Sequence, residues 1–301
     1  MNINGYRIAP GILREWGKSL IPELEWFYFE KSIPGMDMFS LSSLEYSAVP
    51  LDIRTSYGTW SLSSETKFYT KMSPQVFSSL SASLQTEIIK QQWQTGRGLV
   101  FELEELMELA GINRHSYTGV SIADNKEIIL LNLPLWESFS EMERHRFLVN
   151  YGTQWVNDKA LWSELEKDSQ NELKEKYLCL ADKIDTFPSS NGPNCLAAVA
   201  GAITGDETFF NSWMKEEAFL RVIKDANYEP RGSETITEGD VLIWFNESKQ
   251  VIHSCYVLNS EFAFNKQGQT MFNPWQILKL PDIINSWKYP GTYSILYRKP
   301  K

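Results

Sequence analysis

Cysteine is scarce in this chain: Cys179, Cys195 and Cys255 are the only three among 301 residues. So sparse and odd a set excludes a disulfide framework as the source of stability. No apolar run approaches the ~20 residues that a membrane-spanning helix needs. Positive charge is also short, with 29 Lys and Arg against 38 Asp and Glu and a formal net charge of −9. The basic residues are scattered singly, so nucleic acid and anionic membrane surfaces are not expected partners. Motifs for bound groups are missing too. The stretches TGRG (95–98) and GAITGDE (201–207) lack the lysine and spacing of a phosphate loop, and no G-x-S-x-G elbow occurs. No C-x-x-C or H-E-x-x-H spacing supports a metal site, although Cys195, His253 and Cys255 together would make a three-ligand count. No cofactor and no metal are expected. The first residues show no basic region followed by an apolar core, so the expectation is a cytoplasmic chain without a secretory signal.

What is present is enough apolar and aromatic material to fold. Hydrophobic residues make up 43%, with 11 Trp, 13 Tyr and 16 Phe, and aromatic side chains bury large areas. The clearest break is FPSSNGPN at 187–194, rich in turn formers. It divides the chain into a mostly helical region, 1–185, and a second domain, 186–301. In the first, Ser73-Pro74 is a helix start and Gly111 a helix stop, with helix expected across much of 74–110. EIILLNL (127–133) is compatible with a buried strand. Ser140 and Glu143 make a capping-box pair. His115 and His145 sit among polar residues and are expected at the surface. In the second domain, CLAAVAGAITG is a small-residue helix ending at Gly205, and 206–228 is expected as one amphipathic helix. Strands follow at 240–245, 251–258, 261–266 and 292–299. Helices first and an antiparallel meander afterwards imply an α+β fold.

Three residues carry the candidate chemistry. Cys195 opens the small-residue helix, and the exposed N–H groups of a helix start favour a thiolate, the reactive form of cysteine. It could equally be a small buried core residue. His253 lies on a strand inside the expected sheet, where it needs a partner or serves as the base that a thiol nucleophile requires. Asn265 stands twelve positions later, and the turn at Asn259-Ser260 would fold its strand back beside His253. Its side-chain carbonyl could then fix the tautomer of the ring.

The order and spacing of these residues resemble the NlpC-type branch of the papain-like cysteine peptidases. The resemblance is carried by NC at 194–195, EGDVLIWF at 238–245, HSCYVLNS at 253–260 and FAFN at 262–265. It covers about 110 residues and none of the first 185. It implies a papain-like (NlpC- or CHAP-like) domain, with a nucleophile helix packed on a small antiparallel sheet. Cys195 would be nucleophile, His253 base and Asn265 the orienting residue, with Gln267 as the alternative third group. The substrate implied is a peptide or amide of cell-wall type.

The departures bear on the substrate. The family usually shows Asp-Cys-Ser-Gly around the nucleophile, where this chain has Asn194-Cys195-Leu196-Ala197. A tyrosine about a dozen residues upstream is usual, and Lys183 stands there. The backbone N–H of Cys195 is one candidate oxyanion donor. Ser190, Asn191 or Asn194 could supply a second. Gln267 and Trp275 could wall the cleft, and Trp275 could equally be core. A thiol acyltransferase and an inactive binding module of the same fold are the rival readings. The region 1–185 carries no readable chemistry and could serve a protein partner.

Overall fold

The computed structural model describes all residues except 46–48, 50–52, 54–61, 114–116, 233–234 and 301. The reading of His115 therefore falls outside the described residues. The fold is mixed α/β with small antiparallel sheets. The chain forms two compact units, one of residues 13–152 and one that joins residues 1–12 to 153–301.

The unit of residues 13–152 combines helices with two small antiparallel sheets. Strands Glu25–Phe29, Phe68–Met72 and Phe39–Ser40 make one antiparallel sheet, and Val100–Glu102, Lys126–Leu130 and Ser121–Ala123 make another. Phe27, Phe29, Ile88, Ile89, Ile128 and Leu130 share one core. The helix that starts after Ser73 ends at Ser79, and a second runs Ala82–Thr95. The reason is local: Ser81 Oγ accepts from Leu84 N at 3.3 Å, a fresh N-cap that restarts the helix. The capping box forms as read, with Ser140 N donating to Glu143 Oε2 at 2.7 Å and Glu143 N to Ser140 Oγ at 3.3 Å.

The other unit is built on a six-stranded antiparallel sheet. Its strand order is Gln276–Lys279, Phe262–Asn265, Val251–Val257, Val241–Phe245, Tyr293–Arg298, Glu229–Arg231. The first four are a meander, and the chain then returns to add Tyr293–Arg298 beside Val241–Phe245. Side chains alternate between faces along each strand. Val241, Ile243, Tyr256, Phe264 and Ile277 meet the helix Cys195–Thr204 in the larger core. Leu242, Trp244, Cys255, Val257 and Ala263 meet Ile283, from the helix Leu280–Ser286, on the opposite face.

Small residues let the Cys195 helix lie close to its neighbours. A Cβ on Gly201 would stand 2.5 Å from the ring of Phe210, so glycine alone fits there. Phe210 belongs to a short 3₁₀ turn, Glu207–Asn211. The expected single helix over 206–228 is therefore split, and its α-helical part is Glu216–Asp225. The Gly-Asp pair is structural. Gly239 takes φ +82°, and the fully buried Asp240 receives both Nε and Nη2 of Arg298 at 2.7 Å.

This unit starts upstream of the 187–194 break. Leu173, Tyr177, Leu180 and Ile184 pack into the same core as the Cys195 helix. Residues 1–12 join through Arg7 N, which donates to Asp185 O at 2.8 Å, and through buried Ile3, Tyr6 and Ile8.

Candidate active site

The site is built where two strands part. Val251–Val257 and Phe262–Asn265 pair only at Tyr256–Phe264 and Val257–Ala263. Leu258 N donates toward the second strand and Val257 N away from it, to Asp240 O. By the same alternation, Ser254 turns its N–H toward the second strand, where the next rung would have been Lys266. That rung is absent from the pairing. Ser254 and Lys266 lie on the strand face that meets the Cys195 helix, and His253 and Asn265 lie on the other.

Cys195 is the first residue of its helix because Asn194 caps it. Asn194 has an extended backbone (φ −116°, ψ 179°), and its Oδ1 accepts from Ala197 N at 3.0 Å. Its Nδ2 donates to Met214 O at 2.8 Å. Ser254 Oγ donates to Cys195 O at 3.3 Å, tying the helix start to the strand. Cys195 keeps some exposed surface, yet its sulfur is densely surrounded. Burial pushes the thiol up to about 11, opposed by backbone N–H groups of Ser254 and Leu196 and by the charge of Lys266. The exposed surface, rather than that density, decides whether a reagent reaches the sulfur. The resting thiol is protonated at neutral pH.

His253 is 1% exposed. Its Nε2 lies 2.8 Å from Asn265 Oδ1, so the ring carries its proton there and donates. The ring stacks on Trp287 with centroids 4.1 Å apart and planes 9° from parallel, and Trp244 flanks it at 5.5 Å. Burial lowers its pKa to about 3 against the opposing pull of Asn265. It is a neutral imidazole in the resting protein. Asn265 is fully buried, and its Nδ2 has no partner.

The structure therefore brings His253 and Asn265 together as a hydrogen-bonded pair. It places Cys195 beside the same strand but on the other face, and no hydrogen bond joins its sulfur to the ring. Of the remaining residues singled out from the sequence, Asn191, Asn194 and Trp275 have other employment. Asn191 is buried, and its Oδ1 accepts from Met271 N at 2.9 Å. Both ends of the Asn194 amide are committed to the cap and to Met214. Ser190 is half-buried in the loop before the helix, and Gln267 is half-buried just past the strand end. Trp275 is core: 4% exposed, edge-on to Phe210 at 6.2 Å, with Lys183 Nζ 5.8 Å from its ring centroid. Among the described residues no group of three or more His, Cys, Asp or Glu could hold a metal ion.

Three participants were not singled out from the sequence as site residues. Ser254 lies within the HSCYVLNS stretch that carries the resemblance. Trp287 comes from a distant helix end. Lys266 directly follows Asn265 and is fully buried. A groove of about 570 Å³ in the 13–152 unit, lined by Arg14, Lys18, Trp136, Glu137 and Arg144 among others, shares no residue with this site.

Comparison of the chain with family models, with curated proteins and with solved structures returned no match.

Proposed function

We propose that the unit carrying the six-stranded sheet is a thiol hydrolase that cleaves an amide or peptide bond through an acyl-thioester on Cys195. The observation that carries this reading is the buried His253–Asn265 pair at 2.8 Å on the strand that also holds the start of the Cys195 helix. A hydrogen-bonded imidazole is worth burying where a proton must be delivered with fixed direction. The order of residues, with its resemblance to NlpC-type papain-like cysteine peptidases, supports the same assignment.

In the proposed reaction the Cys195 sulfur attacks the substrate carbonyl, and the tetrahedral oxyanion is met by the N–H groups of the helix start. His253 takes up on Nδ1 the proton that the thiol gives up and delivers it to the leaving amine. It then takes one from the water that attacks the thioester. Asn265 fixes the proton on Nε2, which leaves Nδ1 as the working nitrogen. The low basicity of the buried ring is compatible with this cycle, because a thiolate formed nearby stabilises the imidazolium. The thiol and the ring stand at neighbouring positions of one strand, and catalysis requires them to meet at the substrate carbonyl.

The test is hydrolysis of a panel of short peptide amides and aryl amides by the full chain and by Cys195→Ala. Hydrolysis lost in the variant upholds the reading. Hydrolysis that persists in Cys195→Ala rejects it. Adding amine acceptors separates a hydrolase from an acyltransferase, since only the latter diverts the acyl group to the amine.

A further inference from the structure

A lysine with no exposed surface lies on the face of the strand that meets the Cys195 helix, and the reaction above leaves it idle. Lys266 directly follows Asn265 and shares the strand face of Phe264, which lies in the core against the Cys195 helix. Its ammonium donates to Gly268 O at 2.7 Å and Thr270 O at 3.2 Å. Two neutral carbonyls satisfy two of its three donors and none of its charge. Among the described residues no carboxylate is paired with it, although a buried ammonium without an opposite charge is strongly disfavoured. In register Lys266 falls opposite Ser254, whose Oγ binds Cys195 O at 3.3 Å, and among the described residues Cys195 is the ionisable group that acts on it. The other titratable groups around the thiol are Cys255, on the adjoining strand, and His253, on the far face. Glu207, from the turn packed on the helix, acts on Cys179 instead.

We propose that Lys266 is the buried counter-charge of the Cys195 thiolate, a positioning residue that sets how much of the nucleophile is ionised before substrate arrives. The inference rests on the reading of Cys195 as the nucleophile and adds the identity of its cation. The stacked, neutral His253 is not that cation in the resting protein. The step balances simply. The S–H bond breaks, its electron pair stays on sulfur, and solvent carries the proton to the lone pair of Nζ, giving a thiolate and an ammonium. Burial brings Lys266 down to about 7, so its amine can accept a proton near neutrality, as a surface lysine cannot.

Such a pair has its own pH signature. Above the pH at which it has lost its first proton, one proton is shared between sulfur and nitrogen, and the thiolate fraction stays level over several units. An isolated thiol instead gains thiolate tenfold per pH unit. The experiment is the rate of iodoacetamide alkylation at Cys195 from pH 6 to 9.5, read by peptide mass spectrometry on the full chain. Cys179, half-buried and outside the reach of Lys266, is the internal standard. The proteins are wild type, Lys266→Gln and Lys266→Arg. Glutamine keeps donors for the two carbonyls and removes the charge, and arginine keeps a charge that does not titrate.

Wild type is expected to rise to a shoulder near neutral pH and then run level. Lys266→Gln is expected to lose the shoulder and react about tenfold more slowly at neutral pH, the equivalent of one unit in the thiol. Lys266→Arg recovers the rate and not the shoulder. A wild-type profile in a folded Lys266→Gln protein overturns the proposal. So does loss of cooperative melting in both variants, which assigns the lysine to structure alone. The two readings fail separately. Lysine-dependent alkylation without any hydrolysis sinks the hydrolase and leaves the ion pair. Cys195-dependent hydrolysis with alkylation indifferent to Lys266 does the reverse.

Discussion

His253 and Asn265 bind each other for reasons that can be measured without a substrate. In Asn265→Ala the Nε2–H of His253 is left buried with no acceptor, at a cost of about 1–3 kcal/mol. Urea unfolding monitored by tryptophan fluorescence should show that loss; an unchanged midpoint would mean the bond contributes nothing. The pH dependence follows from the sign of the shift. The folded-state pKa of about 3 lies below the ordinary value of 6.5, so the unfolded chain binds the proton first. Stability is full above about 6.5 and is lost as pH falls toward 3, by roughly 5 kcal/mol at the limit. His253→Phe should flatten this acid limb. Asp185 and Glu25, whose carboxyls burial raises, contribute with the opposite sign and are present in both proteins. An acid limb of equal slope in the two would contradict the burial of a neutral ring. At this scale the sequence showed the types and spacing of Cys195, His253 and Asn265. It did not show which face each would take, because a bulge in the pairing of Val241–Phe245 with Val251–Val257 and an unformed rung are matters of register. Lys266 gave no sign of a place beside the thiol for the same reason: lysine is almost always exposed, and only the register buries this one.

Elements were legible where a capping residue spoke for itself. Ser73, Ser140 and the glycines after helices, Gly111 and Gly205, all act as read. The failures came where tertiary contact overrode local pattern. The pattern over 206–228 is amphipathic throughout, yet the 3₁₀ turn Glu207–Asn211 interrupts it and sets Phe210 against Gly201. The strand Glu229–Arg231 is three residues long and contains Pro230, and nothing local announces it. The Gly-Asp strand start looked like part of a catalytic pattern. It proves to be a clamp between strands, where Arg298 meets the buried Asp240 in two parallel bonds. Arg298→Ala should lose about 3–5 kcal/mol, because it abandons a buried carboxylate. Arg298→Ala combined with Asp240→Asn should recover part of that. Differential scanning calorimetry decides the matter, and a loss below about 1 kcal/mol in the single variant would refute the clamp.

The whole molecule divides differently from its composition. The turn-rich stretch at 187–194 is the obvious break in the sequence, yet the core of the site-bearing unit begins at residue 153 and recruits the first twelve residues. Burial across so long a separation leaves no local mark. A fragment of residues 186–301 lacks Leu173, Tyr177, Leu180 and Ile184 as well as the buried Ile3, Tyr6 and Ile8. It should show no cooperative thermal transition by circular dichroism, and a sharp transition would restore the compositional boundary. The function of the molecule turns on whether Cys195 forms an acyl-thioester that His253 helps water to break. The most direct measurement is peptide mass mapping of the full chain after mixing with p-nitrophenyl acetate, followed through time in wild type and His253→Ala. The account predicts an acetyl group on Cys195, ahead of Cys179 and absent from buried Cys255. In wild type that group is short-lived, and in His253→Ala it persists about 100-fold longer. Acetylation confined to Cys179, or a Cys195 adduct with the same lifetime in both proteins, would contradict it.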